Sequence, residues 1–154
     1  MAMDKTVATI LPLRFMALLL HFSVVALVNS TKETNLEVAL RPWGNPARLA
    51  RERSDAQFNF DWLIAASFAC FAVEFLGLLL GVSVRRVGVA TLATALHFCG
   101  AFLMFWFAME GWRYTMFLPL FVIFGLVPAV PELVLMCVFV FKSLQLDQIV
   151  DVRM

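Results

Sequence analysis

The sequence predicts an all-α membrane protein: a compact four-helix transmembrane bundle with up-down topology and both termini on the same side. Three observations predict it. Of the 154 residues, 62% are apolar and 15% charged, against about 45–50% and about 25% in an ordinary soluble domain, and the mean hydropathy is +0.88. Four apolar stretches approach the roughly 20 residues that a helix needs to cross a bilayer at about 1.5 Å per residue. The later stretches are joined by short links, which predicts antiparallel neighbours. Lipid leaves the backbone no alternative to helix, because each polar group has to be satisfied within the segment. A domain of this size exposes much of its surface, so the composition excludes a soluble enzyme, and with it a disordered or fibrous chain. The balance of 12 basic against 11 acidic residues gives no reason to expect nucleic acid.

Span one runs from about Ile10 to Val28. Lys5 and Arg14 precede its apolar core and Val28-Asn29-Ser30 offers a weak cleavage site, the elements of a signal peptide. The length of the apolar run, with Arg14 inside it, favours a span instead. The sequon Asn29-Ser30-Thr31 makes Asn29 a candidate glycosylation site hugging the membrane. A polar loop is expected from Asn29 to Phe60. Pro42-Trp43-Gly44 reads as a turn, and Asn45-Pro46 as an N-cap and first-turn proline opening a short helix through Ala47–Asp55. Leu49 and Phe58 would rest on the membrane surface beside Trp43 and Trp62.

Span two covers about Trp62 to Val82, span three about Val87 to Met109 and span four about Met116 to Phe141, linked through Ser83–Arg86 and Glu110–Thr115. In span four, Pro128 and Pro131 remove two backbone donors and should kink or loosen the helix before Glu132. The tail from Leu144 is too short for a domain. Lys and Arg divide six and six between the two sides: Lys5, Arg14, Arg85, Arg86, Lys142 and Arg153 on the side of the termini, Lys32, Arg41, Arg48, Arg51, Arg53 and Arg113 on the other. The positive-inside rule therefore ties, and the Arg85-Arg86 pair in a tight turn tips it towards cytoplasmic termini. Cys70, Cys99 and Cys137 all lie in apolar runs without a pairing motif and read as packing residues.

Four ionisable side chains lie deep in the spans: His21, Glu74, His97 and Glu132. A charged group there costs about 2.5–3.5 kcal/mol on insertion scales, so something has to offset it. Helix geometry puts Glu74 and His97 within about 5 Å of the midplane, with Glu132 towards the terminal side and His21 towards the opposite one. Each sits on a seam of small residues spaced three or four apart: Arg14, Ala17 and His21 in span one; Ala66, Cys70, Glu74, Gly77 and Gly81 in span two; Ala90, Thr94, His97, Ala101, Met104 and Ala108 in span three; Gly125, Ala129, Glu132 and Met136 in span four. Gly77 and Gly81 form a small-xxx-small motif that admits a neighbouring backbone, and Leu, Phe and Val are expected to face lipid. The four groups read first as a polar clasp, in which Glu74 or Glu132 bonds His97 or His21 across the bundle. Alternatives are a proton relay or ligand site, and a metal site, against which stands the lack of HxxxH or ExxH spacing. A second cluster, Glu110, Trp112, Arg113 and Tyr114, reads as an interfacial anchor with an exposed Glu110–Arg113 pair, or as a partner-docking patch.

In order, LPLRFMALLLHFSVV, FAVEFLGLLLGVS, ALHFCGAF, EGW and LVPAVPEL resemble the transmembrane protein 107 family of small ciliary tetraspan proteins, from Leu11 to Phe141 apart from the first loop. The family pattern falls on Pro12, Arg14, Phe15, His21, Phe71, Glu74, Gly77, Gly81, His97, Glu110, Trp112, Pro128, Ala129 and Glu132. Arg85-Arg86 and a longer, more charged first loop depart from it. The resemblance implies a non-enzymatic scaffold of the ciliary or flagellar transition zone, within the Meckel-syndrome module, supporting ciliogenesis and gating ciliary membrane protein composition. It implies tectonic-type and other transition-zone membrane proteins, B9-type proteins and coiled-coil scaffolds as partners, and no cofactor. The rival is a membrane-embedded sterol isomerase-like enzyme or lipid-binding protein, which would need a lipid-sized cavity beside Glu74, Glu132 and His97. A proton-coupled carrier would need paired broken helices, and only span four is broken.

Overall fold

The computed structural model describes residues 5–40, 46–81 and 86–151, which form helices joined by turns, with no strand among them. Helices α1 (Lys5–Ala39), α2 (Pro46–Leu79) and α3 (Val87–Met109) are followed by a 3-10 turn at Tyr114–Met116, a short α4 (Phe117–Phe121), a π turn at Val122–Leu126 and α5 (Val127–Asp151). Four helical segments are long and apolar enough to cross a membrane: Ala8–Ala39, Arg48–Leu79, Val87–Met109 and Tyr114–Ser143.

The segment expected as a loop between spans one and two is instead mostly helix. α1 continues to Ala39, and the short helix foreseen after Asn45 is the start of α2 itself, beginning at Pro46. Proline suits a first helical position, where its missing N–H has no partner to lose. The 35 residues of α1 make a rod of about 52 Å against a hydrocarbon core of about 30 Å, so the apolar run marks where lipid ends and not where the helix does. Ion pairs stitch the two extensions: Lys32 to Asp61 at 2.6 Å and Arg53 to Glu33 at 2.9 Å. The Pro42-Trp43-Gly44 turn, Asn45 and Arg85 lie outside the described residues.

Neighbours in space are not all neighbours in sequence. α1 packs most extensively on α3 and also on α2, while the fourth span packs on α2 and α3. Around the bundle the order is thus α1, α2, fourth span, α3, with α2 and α3 on a diagonal. This corrects the expectation that the short link makes spans two and three adjacent. The connection, residues 80–86, reaches on the order of 23 Å when extended, more than the roughly 14 Å diagonal of four helices packed about 10 Å apart. Direction follows from the contacts: Phe60 near the start of the apolar part of α2 meets Phe117 at the start of α4, and both meet Phe107 at the end of α3. Spans one and three therefore run one way, and two and four the other.

Of the expected small-residue seam in α2, Glu74 and Gly77 are buried, while Ala66, Cys70 and Gly81 are only half-buried. The buried stripe of this helix is Ala56, Phe60, Ile64, Ser67, Phe71, Glu74, Gly77 and Leu78. Nor do all phenylalanines face lipid: Phe60, Phe71, Phe107 and Phe117 are among the largest fully buried side chains. In α3 the expected face is the buried one, with Ala90, Thr94, His97, Ala101 and Met104 joined by Ala93, Gly100 and Phe107.

In the fourth span the loosening falls just ahead of the prolines. The Val127 N–H bonds Val122 O in place of the usual partner four back. The ring of Pro128 would crowd the carbonyl of Phe124, and a widened turn relieves that clash without breaking the helix.

Candidate functional site

At the centre of the bundle five ionisable side chains join into one chain that touches every span. Arg14 of α1 donates from Nη2 to Glu132 Oε2 of α5 at 2.9 Å and lies 3.9 Å from Glu74 Oε2 of α2. Glu74 Oε2 is 2.6 Å from His97 Nε2 of α3, and His97 Nδ1 is 3.1 Å from His21 Nδ1, back on α1. All five residues are at most 1% exposed. The two shortest links cross the bundle along its two diagonals, Arg14 to Glu132 and Glu74 to His97, and the Arg14–Glu74 approach joins them where they cross.

Helix packing makes room for this chain. Gly77 sits where Glu132 enters, and a Cβ there would land on the Glu132 carboxyl. Gly100 does the same for His21: a Cβ there would lie 2.7 Å from His21 Cε1 and 2.7 Å from Phe124 Cβ. Phe71 closes the site edge-on against His21, with ring centroids 5.0 Å apart. Nearby hydroxyls are already used within their own helices, Ser67 Oγ on Leu63 O and Thr94 Oγ1 on Ala90 O.

The structure therefore brings His21, Glu74, His97 and Glu132 together, with a pairing the residue pattern alone did not specify. Glu132 pairs with Arg14 instead of a histidine. Arg14, read on the seam with Ala17 and His21 but left out of the clasp, is the central cation. Gly100 was missed beside Ala101, although it follows His97 by three residues. Ala101 is buried against the α1 side, in the wall of an outer groove. Of the other packing residues, Gly125 is buried in the π turn with its open side towards Phe121 of its own span, and Pro128 is buried next to it.

Gly81 does not belong to the seam. Its φ is +66°, nothing lies within 4 Å of its Cβ position, and its N–H bonds Leu78 O at 3.1 Å. It ends α2 in the left-handed conformation that glycine takes without strain. Glu110-Gly111-Trp112 is likewise a helix stop: Gly111 has φ +57°, and the Trp112 N–H returns to Phe107 O at 3.3 Å. Asn35, fully buried on the helical extension of α1, seals that end by donating Nδ2 to Trp112 O at 2.7 Å. Tyr114 lies tilted against Phe60, with ring centroids 5.9 Å apart. Glu110 and Arg113 are exposed, and no ion pair joins them among the described residues. Asn29 is exposed on α1, within a continuous helix.

Among the described residues no three of His, Cys, Asp or Glu converge as metal ligands. Two apolar grooves of about 210 and 330 Å³ run along α1 and α3, lined by residues such as Leu13, Thr91 and Phe98 in one and Leu20, Ala101 and Phe105 in the other. Neither is bordered by the charged chain.

The family model TMEM107, described as a transmembrane protein, matches residues 10–136. Among curated relatives, transmembrane protein 107 of Mus musculus is 31% identical over 129 residues, covering 82% of this chain and 87% of the mouse protein. That of Rattus norvegicus is 30% identical with the same coverage, and that of Homo sapiens 28% identical over 130 residues, covering 84% and 89%. No solved structure matches.

Proposed function

Because the chain belongs to the transmembrane protein 107 family, we propose that it is a non-enzymatic membrane scaffold of the ciliary or flagellar transition zone, within the Meckel-syndrome module. There it supports ciliogenesis and the gating of ciliary membrane proteins. Its buried charges fix the mutual positions of four spans, and the outer faces and helical ends recruit neighbours. The partners we propose are tectonic-type and other transition-zone membrane proteins, B9-type proteins and coiled-coil scaffolds, with the termini in the cytoplasm.

The observation that carries this reading is that the buried acids and bases face one another across the bundle. An enzyme acting on a sterol or lipid needs its acid and base at the wall of a substrate-sized cavity. Here Oε2 of Glu74 faces His97 and Oε2 of Glu132 accepts from Arg14, while Oε1 of each acid is buried with no hydrogen-bond partner among the described residues, and the described grooves open elsewhere. The printed names of the mouse, rat and human relatives and the family description are those of a transmembrane protein.

Tagging the protein in a ciliated or flagellated cell tests the proposal. A ring at the ciliary base, lost or thinned when Gly77 is replaced by Leu, is the expected result. A diffuse endoplasmic-reticulum signal with sterol-processing defects on deletion overturns it in favour of the enzyme.

A further inference from the structure

The face that α1 and α3 turn to lipid is not smooth. Where the two helices run side by side, two apolar grooves lie end to end, with Phe98 in the lining of both. The first, of about 210 Å³, lies between Ile10 and Leu13 of α1 and Thr91, Thr94, Ala95 and Phe98 of α3. The second, of about 330 Å³, continues past Leu20 and Phe102 to Phe105. Both lie on helices long and apolar enough to cross a membrane. Residues 91–98 cover about 10 Å of helix rise, and one leaflet of the hydrocarbon core is about 15 Å deep. With His97 close to the midplane, each groove thus belongs to one leaflet. The two hydroxyls on the wall of the first groove already donate to their own helix, Thr91 to Val87 O at 2.8 Å and Thr94 to Ala90 O at 2.7 Å. Hydrocarbon therefore fills it without stranding a polar group.

The outer ends of the two grooves differ in charge. Five residues before Ile10 stands Lys5, the first residue of α1. Five residues before Thr91 stands Arg86, exposed and in no ion pair among the described residues. Because α1 and α3 run the same way and Ile10 and Thr91 border the same groove, these two cationic positions share one level. Five residues rise about 7.5 Å, which matches the roughly 5–7 Å of headgroup region that overlies the hydrocarbon on each side. The residues just before them, Asp4 and Arg85, cancel in charge, which leaves two positive charges at that end. Beyond the second groove the corresponding positions are Asn29, five after Val24, and Glu110, five after Phe105. With Arg113 in the turn that follows, the charge there sums to zero.

We propose that the first groove is a binding site for an anionic phospholipid of the leaflet on the side of the termini. One acyl chain lies along Leu13, Ala95 and Phe98, and the headgroup sits at the level of Lys5 and Arg86. A zwitterionic lipid, a sterol or a neighbouring helix would suit the apolar walls as well, but only an anionic headgroup also uses the two cations. A sterol brings one hydroxyl and no charge, whereas a phosphate takes charge-assisted hydrogen bonds from arginine and lysine. Each basic residue at the membrane surface favours an anionic headgroup about fivefold. The proposal goes beyond the scaffold reading and stands apart from where in the cell the protein resides.

Photo-crosslinking of the full-length protein in phosphatidylcholine nanodiscs tests it. Two probes carry a diazirine on the acyl chain, one a phosphatidylglycerol and the other a phosphatidylcholine, and mass spectrometry reads the labelled residues. The expected result is that the phosphatidylglycerol probe labels residues 10–13 and 91–98 in preference to the phosphatidylcholine probe, with no preference at residues 101–105. Lys5→Gln and Arg86→Gln should each lower that preference about fivefold. Ala95→Phe, which puts a ring into the groove, should remove the labelling with both cations in place. Equal labelling by the two probes overturns the proposal, as does a preference that survives the double substitution or is equally strong at the second groove. Labelling that persists in Ala95→Phe overturns it too. So does a first groove that neither probe labels, because a neighbouring protein helix then covers it. Should a variant fail to fold, salt decides on the unsubstituted protein: at 1 M the preference should be lost, and a preference that salt does not move overturns the proposal.

Discussion

The same chemistry holds two ends of this molecule with very different consequences. At the centre, Arg14 and Glu132 pair at 2.9 Å with about 1% exposure each; on the helical extensions, Arg53 and Glu33 pair at the same 2.9 Å with about half of each side chain in solvent. Distance is identical and environment is not. An exposed pair is worth about 0–1 kcal/mol and is screened by salt. A buried pair adds little over an apolar replacement of both partners, yet removing one partner costs about 3–5 kcal/mol because the other is left charged in oil. The central pair thus specifies the arrangement of the spans, while the outer pairs trim a helical hairpin already stabilised by packing.

The largest test of that contrast is Arg14→Met. Unfolding in detergent should show a loss of about 3–5 kcal/mol, with Glu132 stranded. Adding Glu132→Leu should recover part of it, since both charges are then gone; no recovery would mean that the pair is more than a matched set of charges. Glu74→Gln should be tolerated better than Glu74→Leu at this level, because only the amide can keep the bond to His97.

Next come the two glycines once grouped on one seam. Gly77→Ala should cost about 1–3 kcal/mol by overpacking against Glu132. Gly81→Ala meets no neighbour and should cost only the roughly 1 kcal/mol of a left-handed alanine. Equal losses from the two would refute the distinction between a notch and a helix stop. Asn35→Ala should fall at the lower end of that range, about 1 kcal/mol, by leaving the part-buried Trp112 carbonyl without its donor. The smallest effect belongs to Arg53→Ala, about 0–1 kcal/mol, and the difference from the parent should vanish in 1 M salt. A loss comparable with that of Arg14→Met would erase the contrast between centre and rim.

How far the residues alone revealed this arrangement depends on which physics was asked. Four spans and four buried acids and imidazoles follow from length and from the cost of charge in lipid, and those inferences use one residue type at a time. The lateral arrangement does not. Lipid and helix neighbours are equally apolar, so the turn-by-turn pattern in α2 could not tell that Phe71 and Ile64 point inwards while Cys70 is only half-buried. Arg14 was read on the seam, yet its part in the clasp was hidden by its position near the apparent start of span one, where an arginine ordinarily reaches back to the headgroups. Asn35 was hidden by the opposite error: an end to the apolar run was taken as an end to the helix. The family motifs carried more than any of these patterns. They included Arg14, Phe71, Gly77 and Trp112, whose roles become plain only when the chain is folded: cation, ring beside His21, notch for Glu132 and helix stop.

Arg14 and Glu132 are separated by 118 positions in the chain. At about 5–20 residues per second of synthesis, the arginine enters the bilayer roughly 6 to 24 s before its counterion exists. Glu74 comes sooner, but it lies 3.9 Å away in the finished bundle, and its short bond is to a residue on the next span. The newborn protein therefore passes through a period in which the first rod is a poor membrane anchor. It needs shelter at the insertion machinery, or a provisional liaison with Glu74, until the last rod arrives.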